Sequence, residues 1–117
     1  MTAAPVVHFE IIGTDGEKLK TFYADLFDWE IDSNNPMNYG SVKAAGEGSI
    51  GGGISAATKG QPGYVTFYAA VPDVKAALAK AEQLGGKTVV PETEIPNIVT
   101  FGLFSDPEGH VVGVVKQ

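Results

Sequence analysis

The chain begins with a segment in which apolar and polar side chains alternate, as they do in a β-strand buried on one face. Residues 6–12 show this pattern, and the polar positions on one face are His8 and Glu10. A turn follows, and the next apolar residues recur at helical spacing, which predicts a helix packed on a sheet. The apolar face of the strand is formed by Val7, Phe9 and Ile11, and that of the helix by Leu19, Phe22, Tyr23 and Leu26.

The rest of the first half predicts short strands separated by turns. Trp29 opens one strand, residues 39–44 form a second, and residues 49–57 form a third. The last of these contains three consecutive glycines at 51–53, which favour a bent strand or the close approach of another group to the backbone.

The second half of the chain repeats this order of elements. A strand, a helix and three further strands are predicted in both halves. A shift of 58 residues places Val7 on Val65 and Phe9 on Phe67, which indicates an internal duplication. The elements predicted in the second half are a strand at 64–71, a helical stripe at 74–84 and strands at 87–90, 98–104 and 111–115.

These patterns predict an α+β fold made of two βαβββ modules, at about residues 5–58 and 63–117 of a single domain. Two such modules can place their strands side by side in one curved mixed sheet. The helices then cover the convex side, and a cup opens on the other. The length of 117 residues is sufficient for one domain with its own core.

Composition excludes several classes of function. The chain has no cysteine, which excludes disulfides, thiolate metal sites and a cysteine nucleophile. Its formal net charge is −6 and it has no arginine, so nucleic acid and anionic membrane surfaces are poor partners. Residues 1–5 show no signal-peptide pattern, and no apolar run is long enough to span a bilayer. We therefore expect a cytoplasmic protein.

Several short motifs occur in a characteristic order along the chain. In this order and spacing they resemble the vicinal oxygen chelate superfamily, which contains glyoxalases, bleomycin-resistance proteins and extradiol dioxygenases. The resemblance covers nearly the whole chain and implies the paired-module fold. The motifs are Val7-His8-Phe9-Glu10-Ile11, Phe22-Tyr23, Leu26-Phe27-Asp28-Trp29, the helix from Ala76 that closes on Leu84-Gly85-Gly86, and Asp106-Pro107-Glu108-Gly109.

The resemblance also implies where a metal would bind. Catalytic members of the superfamily hold a divalent ion with four side chains, one from the first and one from the last strand of each module. These positions are His8 in the first module and Thr66 and Gly113 in the second, while residues 49–57 of the first module contain no ionisable donor. One ligand of four is retained, which is too few for a catalytic site. We therefore expect a degenerate site, with no metal and no cofactor.

Five residues are candidates for binding a small-molecule ligand in the cup. Burial of Glu10 is costly unless it is paired or hydrated, so we expect it to pair with His8 or to meet a ligand amine. Tyrosines on the face that carries Thr66 supply aromatic walls with polar tips. Ordinary packing and hydrogen bonding is the alternative interpretation. The five candidates are His8, Glu10, Tyr64, Thr66 and Tyr68.

Other residues are predicted to be structural. Phe22, Tyr23, Phe27 and Trp29 are expected in the core, and Lys18 and Lys20 on the solvated surface of the first helix. Residues 106–109 have the composition of a turn.

The sequence favours a metal-independent small-molecule binding protein of the bleomycin-resistance type. The alternative is a lyase or isomerase of the glyoxalase type, which uses either a noncanonical metal or His8 and Glu10 as an acid–base pair. A third hypothesis is an interaction module that forms a homodimer, because open sheet edges favour pairing.

Overall fold

The computed structural model describes residues 3–117. The prediction about a signal peptide concerns residues 1–5, of which Met1 and Thr2 lie outside the described residues. Within residues 3–117, every helix falls short of the length and hydropathy that a membrane span requires. The elements are β1 (Val6–Gly13), α1 (Gly16–Phe27), β2 (Ile31–Asp32), β3 (Gly40–Val42), β4 (Gly51–Ala56), β5 (Tyr64–Val71), α2 (Val74–Gln83), β6 (Lys87–Ile95), β7 (Val99–Ser105) and β8 (Val111–Lys116).

The chain divides into two compact units. The first unit is His8–Val65, and the second unit is Thr66–Gln117 together with the described residues up to Val7. The element order is βαβββ from β1 to β4, and again from β5 to β8. The α+β class predicted from the sequence is therefore confirmed.

The first unit has the strand order β2-β3-β4-β1. β1 and β4 are parallel, and the other pairs are antiparallel. Asp15 caps the start of helix α1, because its Oδ1 accepts a hydrogen bond of 3.0 Å from the backbone N–H of Lys18. The helix ends at Asp28, whose backbone has a left-handed conformation. The core is formed by Ile11, Val42 and Ile54, with Phe9, Leu19, Tyr23, Trp29 and Ile31 packed against it.

The second unit has the strand order β5-β8-β7-β6, and β5 is parallel to β8. Asp73 caps α2 by accepting a hydrogen bond of 3.0 Å from Ala76 N. The predicted turn at 106–109 is confirmed, because Gly109 N donates to Asp106 O at 2.9 Å. The buried core of this unit consists of Val74, Leu78 and Val114.

The face of α1 that packs on the sheet differs from the predicted stripe. Gly16 and Lys20 are buried, whereas Phe22 and Leu26 are each 57% exposed. The predictions that Phe22 and Phe27 are core residues and that Lys20 is solvated are therefore wrong, since Phe27 is 53% exposed as well. The cause is a close helix–strand contact: Gly16 lies directly against the backbone of Ala56, which turns the row through residues 16 and 20 toward β4.

The glycines of β4 allow other groups to approach its backbone closely, as the sequence predicts. A Cβ atom at Gly52 would overlap the ring of Phe9, and one at Gly53 would overlap the hydroxyl of Tyr39. β4 therefore accepts an aromatic side chain on each of two adjacent glycines, and the second of these side chains belongs to the candidate site.

Candidate functional site

His8 and Glu10 lie on the same face of β1, as the alternation predicts. Glu10 is only 7% exposed, and His8 is partly buried. Burial of a carboxylate is unfavourable by several kcal/mol unless hydrogen bonds or opposite charges compensate for the lost hydration. Two tyrosine hydroxyls supply hydrogen bonds to Glu10.

The first hydroxyl belongs to Tyr39, which joins His8 to Glu10. It donates to Glu10 Oε2 at 2.8 Å and lies 2.9 Å from His8 Nε2. The rings of Tyr39 and His8 are stacked, with centroids 6.3 Å apart and planes 17° apart. Strand pairing explains the encounter, because Gly53 of β4 lies opposite both Glu10 of β1 and Ser41 of β3. Tyr39 immediately precedes β3 and is thereby carried back over β4 toward β1.

The second hydroxyl belongs to Tyr64, the first residue of β5. It donates to Glu10 Oε1 at 3.0 Å, so each carboxylate oxygen of Glu10 accepts a hydrogen bond from a tyrosine. Hydrogen bonds to a charged acceptor are stronger than those between neutral groups. We call His8, Glu10, Tyr39 and Tyr64 the carboxylate cluster, and all four belong to the first unit.

The single proton of Tyr39 determines the direction of the hydrogen bonds across the carboxylate cluster. Because the Tyr39 hydroxyl donates its hydrogen bond to Glu10, its oxygen accepts a hydrogen bond from the N–H at His8 Nε2. Neutral His8 is then the Nε2–H tautomer, with its lone pair on Nδ1. The acid–base pair considered from the sequence is thus connected through a phenol.

Burial and the charge of Glu10 shift the protonation equilibria of two members of the carboxylate cluster. Burial lowers the pKa of His8, and the nearby carboxylate of Glu10 opposes part of this effect. Burial also raises the pKa of Tyr64, and the charge of Glu10 and the hydrogen bond to it act in the same direction. Both shifts favour the neutral forms of His8 and Tyr64 at pH 7.

We expect His8 to make folding less favourable in mild acid. Because the folded pKa of His8 lies below the unfolded value of about 6.5, the unfolded chain binds the proton first as the pH falls. The stability linked to neutral His8 is therefore present above about pH 6.5 and lost as the pH falls through the folded pKa. Urea unfolding between about pH 7.5 and 5 should show a smaller loss for His8→Gln than for the wild type.

The matched control for this measurement is His110→Gln, which removes the other histidine of the chain. That variant should not flatten the pH dependence of the unfolding free energy. Equal slopes for the wild type and His8→Gln would contradict the prediction.

The remaining two candidates, Thr66 and Tyr68, lie in the second unit and are 8% and 7% exposed. The hydroxyl of Thr66 donates to the carbonyl oxygen of Val111 at 2.6 Å. The ring of Tyr68 covers Gly113, its register partner on β8, so that a Cβ atom at Gly113 would overlap the ring. The structure thus brings together three of the five predicted residues, His8, Glu10 and Tyr64.

Both units place a tyrosine ring or hydroxyl over a glycine of their last strand. In the first unit Tyr39 covers Gly53 of β4, and in the second unit Tyr68 covers Gly113 of β8. The superfamily resemblance implies metal ligands on these same two strands. The space next to each of these glycines is occupied by a tyrosine.

The donor set does not fit a divalent metal held by the four implied positions. Among these positions, Gly113 offers no side chain, and the hydroxyl of Thr66 is directed to a backbone carbonyl. Glu10, the carboxylate beside His8, is not one of the four, and both of its oxygens accept from phenols. Across residues 3–117, no group of three or more His, Asp, Glu or Cys side chains lies close enough to hold an ion. Catalytic zinc sites use about three protein ligands, and the donors at the implied positions are fewer than that.

Tyr39 is the member of the carboxylate cluster that sequence reasoning missed. The sequence pattern places it only at the start of a short strand, residues 39–44. The available signal was the glycine run at 51–53, which predicted a close approach to β4 but not the identity of the approaching group.

The fold is that of a protein built from two βαβββ units, and its candidate site is centred on the polar face of β1. The chain belongs to the glyoxalase/bleomycin resistance protein/dioxygenase superfamily, whose family model matches residues 6–114. The resemblance identified from the motifs is thereby confirmed.

Among curated proteins, the chain is similar to two mycobacterial relatives. Both are named "Putative glyoxylase CFP32", one from Mycobacterium bovis and one from Mycobacterium tuberculosis, and each is 35% identical over 80 residues. The match covers 68% of this chain but only 30% of each relative. The chain therefore corresponds to less than a third of their length.

Solved structures confirm the fold at low sequence identity. A superfamily member from Vibrio splendidus has a TM-score of 0.63 at 16% identity, covering 98% of this chain and 100% of that one. Methylmalonyl-CoA epimerase of Streptomyces coelicolor, in complex with 2-nitronate-propionyl-CoA, has a TM-score of 0.63 at 12% identity, with 99% of each chain covered. The Mycobacterium tuberculosis epimerase has a TM-score of 0.62 at 13% identity, covering 99% of this chain and 91% of that one.

Proposed function

We propose that the carboxylate cluster binds a small molecule, and that it does so without a divalent metal. The observation that carries this proposal is the hydroxyl of Tyr39, which joins His8 to Glu10. Aromatic side chains with a few polar tips are typical of small-molecule sites. Family membership supports small-molecule binding in general, since the solved Streptomyces epimerase carries bound 2-nitronate-propionyl-CoA. The charge of the carboxylate cluster nevertheless argues against a phosphorylated ligand of that kind here.

The charge of the carboxylate cluster favours neutral and cationic ligands over phosphorylated ones. Glu10 places a negative charge in a partly desolvated site, where a second anion is repelled more strongly than in water. The pKa shifts of His8 and Tyr64 favour neutral side chains there. The carboxylate cluster contains no lysine, and the chain has no arginine to grip a phosphate. The aromatic rings of the carboxylate cluster further favour a cationic ligand over a neutral one.

Three ligands that share a phenyl ring test this proposal: benzylamine, benzyl alcohol and phenyl phosphate. We expect benzylamine to raise the melting temperature of the protein most, benzyl alcohol to raise it less, and phenyl phosphate to leave it unchanged. A ligand at about 100 times its Kd stabilises the folded state by roughly 2.7 kcal/mol, which a thermal-shift assay detects. The stabilisation should persist after EDTA treatment. Stabilisation by phenyl phosphate alone, or only with added zinc or nickel, would contradict the proposal.

A pair of glutamate variants assigns the effect to the carboxylate cluster. Glu10→Gln removes the charge but keeps an acceptor oxygen, so benzylamine should lose its advantage over benzyl alcohol. Glu47→Gln removes the charge of an exposed glutamate in a turn and should leave the ranking of the ligands unchanged. An unchanged benzylamine preference in Glu10→Gln would exclude Glu10 from the binding site.

Thr66 and Tyr68 remain predicted ligand contacts. The homodimer and the cytoplasmic location likewise remain predictions.

A further inference from the structure

Helix α1 contains a lysine in a place where a charged side chain is unusual. Lys20 is 7% exposed. Its ammonium group donates to Glu17 Oε2 at 2.9 Å, one turn earlier on the helix, and to the backbone oxygen of Asn38 at 2.8 Å. Lys20 therefore ties α1 to the loop that precedes β3.

The bond to Asn38 belongs to a closed network of hydrogen bonds. The side-chain amide of Asn38 donates to Glu17 Oε2 at 3.1 Å, so Glu17 and Lys20 together hold this residue through its side chain and its backbone. Asn38 has a left-handed backbone with φ 52°, a conformation that asparagine tolerates better than most residues. Gly40 leaves room for the lysine, since a Cβ atom there would lie 2.9 Å from Lys20 Cε.

The residue after Asn38 is Tyr39, whose backbone is held from the other side by Asn35. Asn35 Oδ1 accepts from Tyr39 N at 2.9 Å, and Asn35 Nδ2 donates to the carbonyl oxygen of Tyr39 at 2.7 Å. The backbone on both sides of the Tyr39 Cα atom is thereby fixed, which determines where its side chain starts.

We propose that Lys20 is a positioning residue for the carboxylate cluster: by holding Asn38, it keeps the hydroxyl of Tyr39 between His8 and Glu10. An ammonium group loses hydration when it is buried, and an apolar side chain of similar volume would fill the same space without that penalty. What the lysine supplies beyond volume is two charge-assisted hydrogen bonds. One goes directly to the backbone of Asn38, and the other goes to Glu17, which in turn accepts from the side chain of Asn38. The inference rests on the proposed binding role of the carboxylate cluster, but it concerns geometry that is measured without a ligand.

The test uses the imidazole signals of His8 in long-range ¹H–¹⁵N NMR spectra, recorded near pH 8 where histidine is neutral. The chain has two histidines, so His110 provides an internal reference. Tyr39→Phe removes the hydroxyl and defines the full shift of the His8 signals. Lys20→Met should move these signals in the same direction by at least half of that shift. Lys18→Met, which removes an exposed lysine of the same helix, should leave them unchanged.

A double variant separates positioning from a general loss of stability. If Lys20 acts through Tyr39, the His8 signals of Lys20→Met/Tyr39→Phe should coincide with those of Tyr39→Phe alone. Additive shifts, or wild-type His8 signals in folded Lys20→Met, would overturn the proposal. Glu17→Gln alters an exposed partner and should give a smaller shift in the same direction. If Lys20→Met fails to fold, wild-type His8 signals in Glu17→Gln would overturn the proposal instead.

The outcome of the NMR test of Lys20 does not depend on the ligand measurements. Failure of every phenyl ligand to bind, together with the expected His8 shifts, would reject the proposed function and leave the positioning role of Lys20 intact.

Discussion

Replacement of Glu10 by alanine should lower the free energy of unfolding by about 2–4 kcal/mol, because it leaves the hydroxyls of Tyr39 and Tyr64 without their shared acceptor. A hydrogen bond to a charged group contributes about 1.5–3 kcal/mol, and both hydroxyls are on partly buried side chains. Glu10→Gln should have roughly half of this effect, since glutamine retains one carbonyl acceptor. Urea unfolding at neutral pH measures both variants.

Two comparisons show whether the lost hydrogen bonds cause the effect. Glu94→Ala truncates an exposed glutamate on β6 and should change the unfolding free energy by less than about 0.5 kcal/mol. Tyr64→Phe should be less destabilising in the Glu10→Ala background than in the wild type, because its acceptor is already missing. Equal effects of Tyr64→Phe in both backgrounds would contradict the role assigned to this hydrogen bond.

Local patterns were sufficient to predict most of the fold. β5 was predicted at 64–71 and spans Tyr64–Val71, because its alternation and its flanking turn are both local signals. β6 was predicted to stop at residue 90 but continues to Ile95, beyond Pro91. Register shifts between Thr88 and Val90, and between Val90 and Thr93, allow the strand to pass a residue that cannot donate to the sheet.

The buried face of α1 depends on a contact that a local pattern does not contain. Apolar spacing alone selects a stripe through Phe22 and Leu26, whereas the contact of Gly16 with β4 rotates the helix and buries Lys20. A lysine can occupy such a position because its long aliphatic part packs while its ammonium group reaches polar partners. One partner, Glu17, is a local neighbour on the helix, but the other, the backbone oxygen of Asn38, is 18 residues away in sequence and is brought to Lys20 only by the fold.

The candidate site, like the fold, could be predicted from the sequence only where its residues belong to a local pattern. His8 and Glu10 follow from the alternation within β1, which is a local property. Tyr39 is 29 residues from Glu10 in sequence, and their contact depends on the registers of β3 with β4 and of β4 with β1. A shift of one residue in either strand register would move the side chains of the shifted strand to the opposite face of the sheet, away from the site. No sequence pattern in this chain determines those registers.

The glycine at position 113 should not tolerate a side chain while Tyr68 is present. A Cβ atom there would overlap one edge of the Tyr68 ring, at Cδ2 and Cε2, and the buried ring lies directly opposite on β5. We expect Gly113→Ala to lower the unfolding free energy by about 1–3 kcal/mol, the usual range for an overpacked site. The direction is informative because alanine is normally better than glycine within a strand, by about 0.5–1 kcal/mol. Urea unfolding again provides the measurement.

The same substitution in a Tyr68→Ala background should reverse its sign and become slightly stabilising, since the overlapping ring is gone. A loss of equal size in both backgrounds would show that the ring is not the cause. If the sign reverses, the glycine at the β8 position where the superfamily resemblance implies a metal ligand and the tyrosine that covers it are one structural feature. A metal-ligating side chain at 113 would then require the removal of Tyr68 first, so no single substitution at this position could introduce a ligand without disrupting the packing of the second unit.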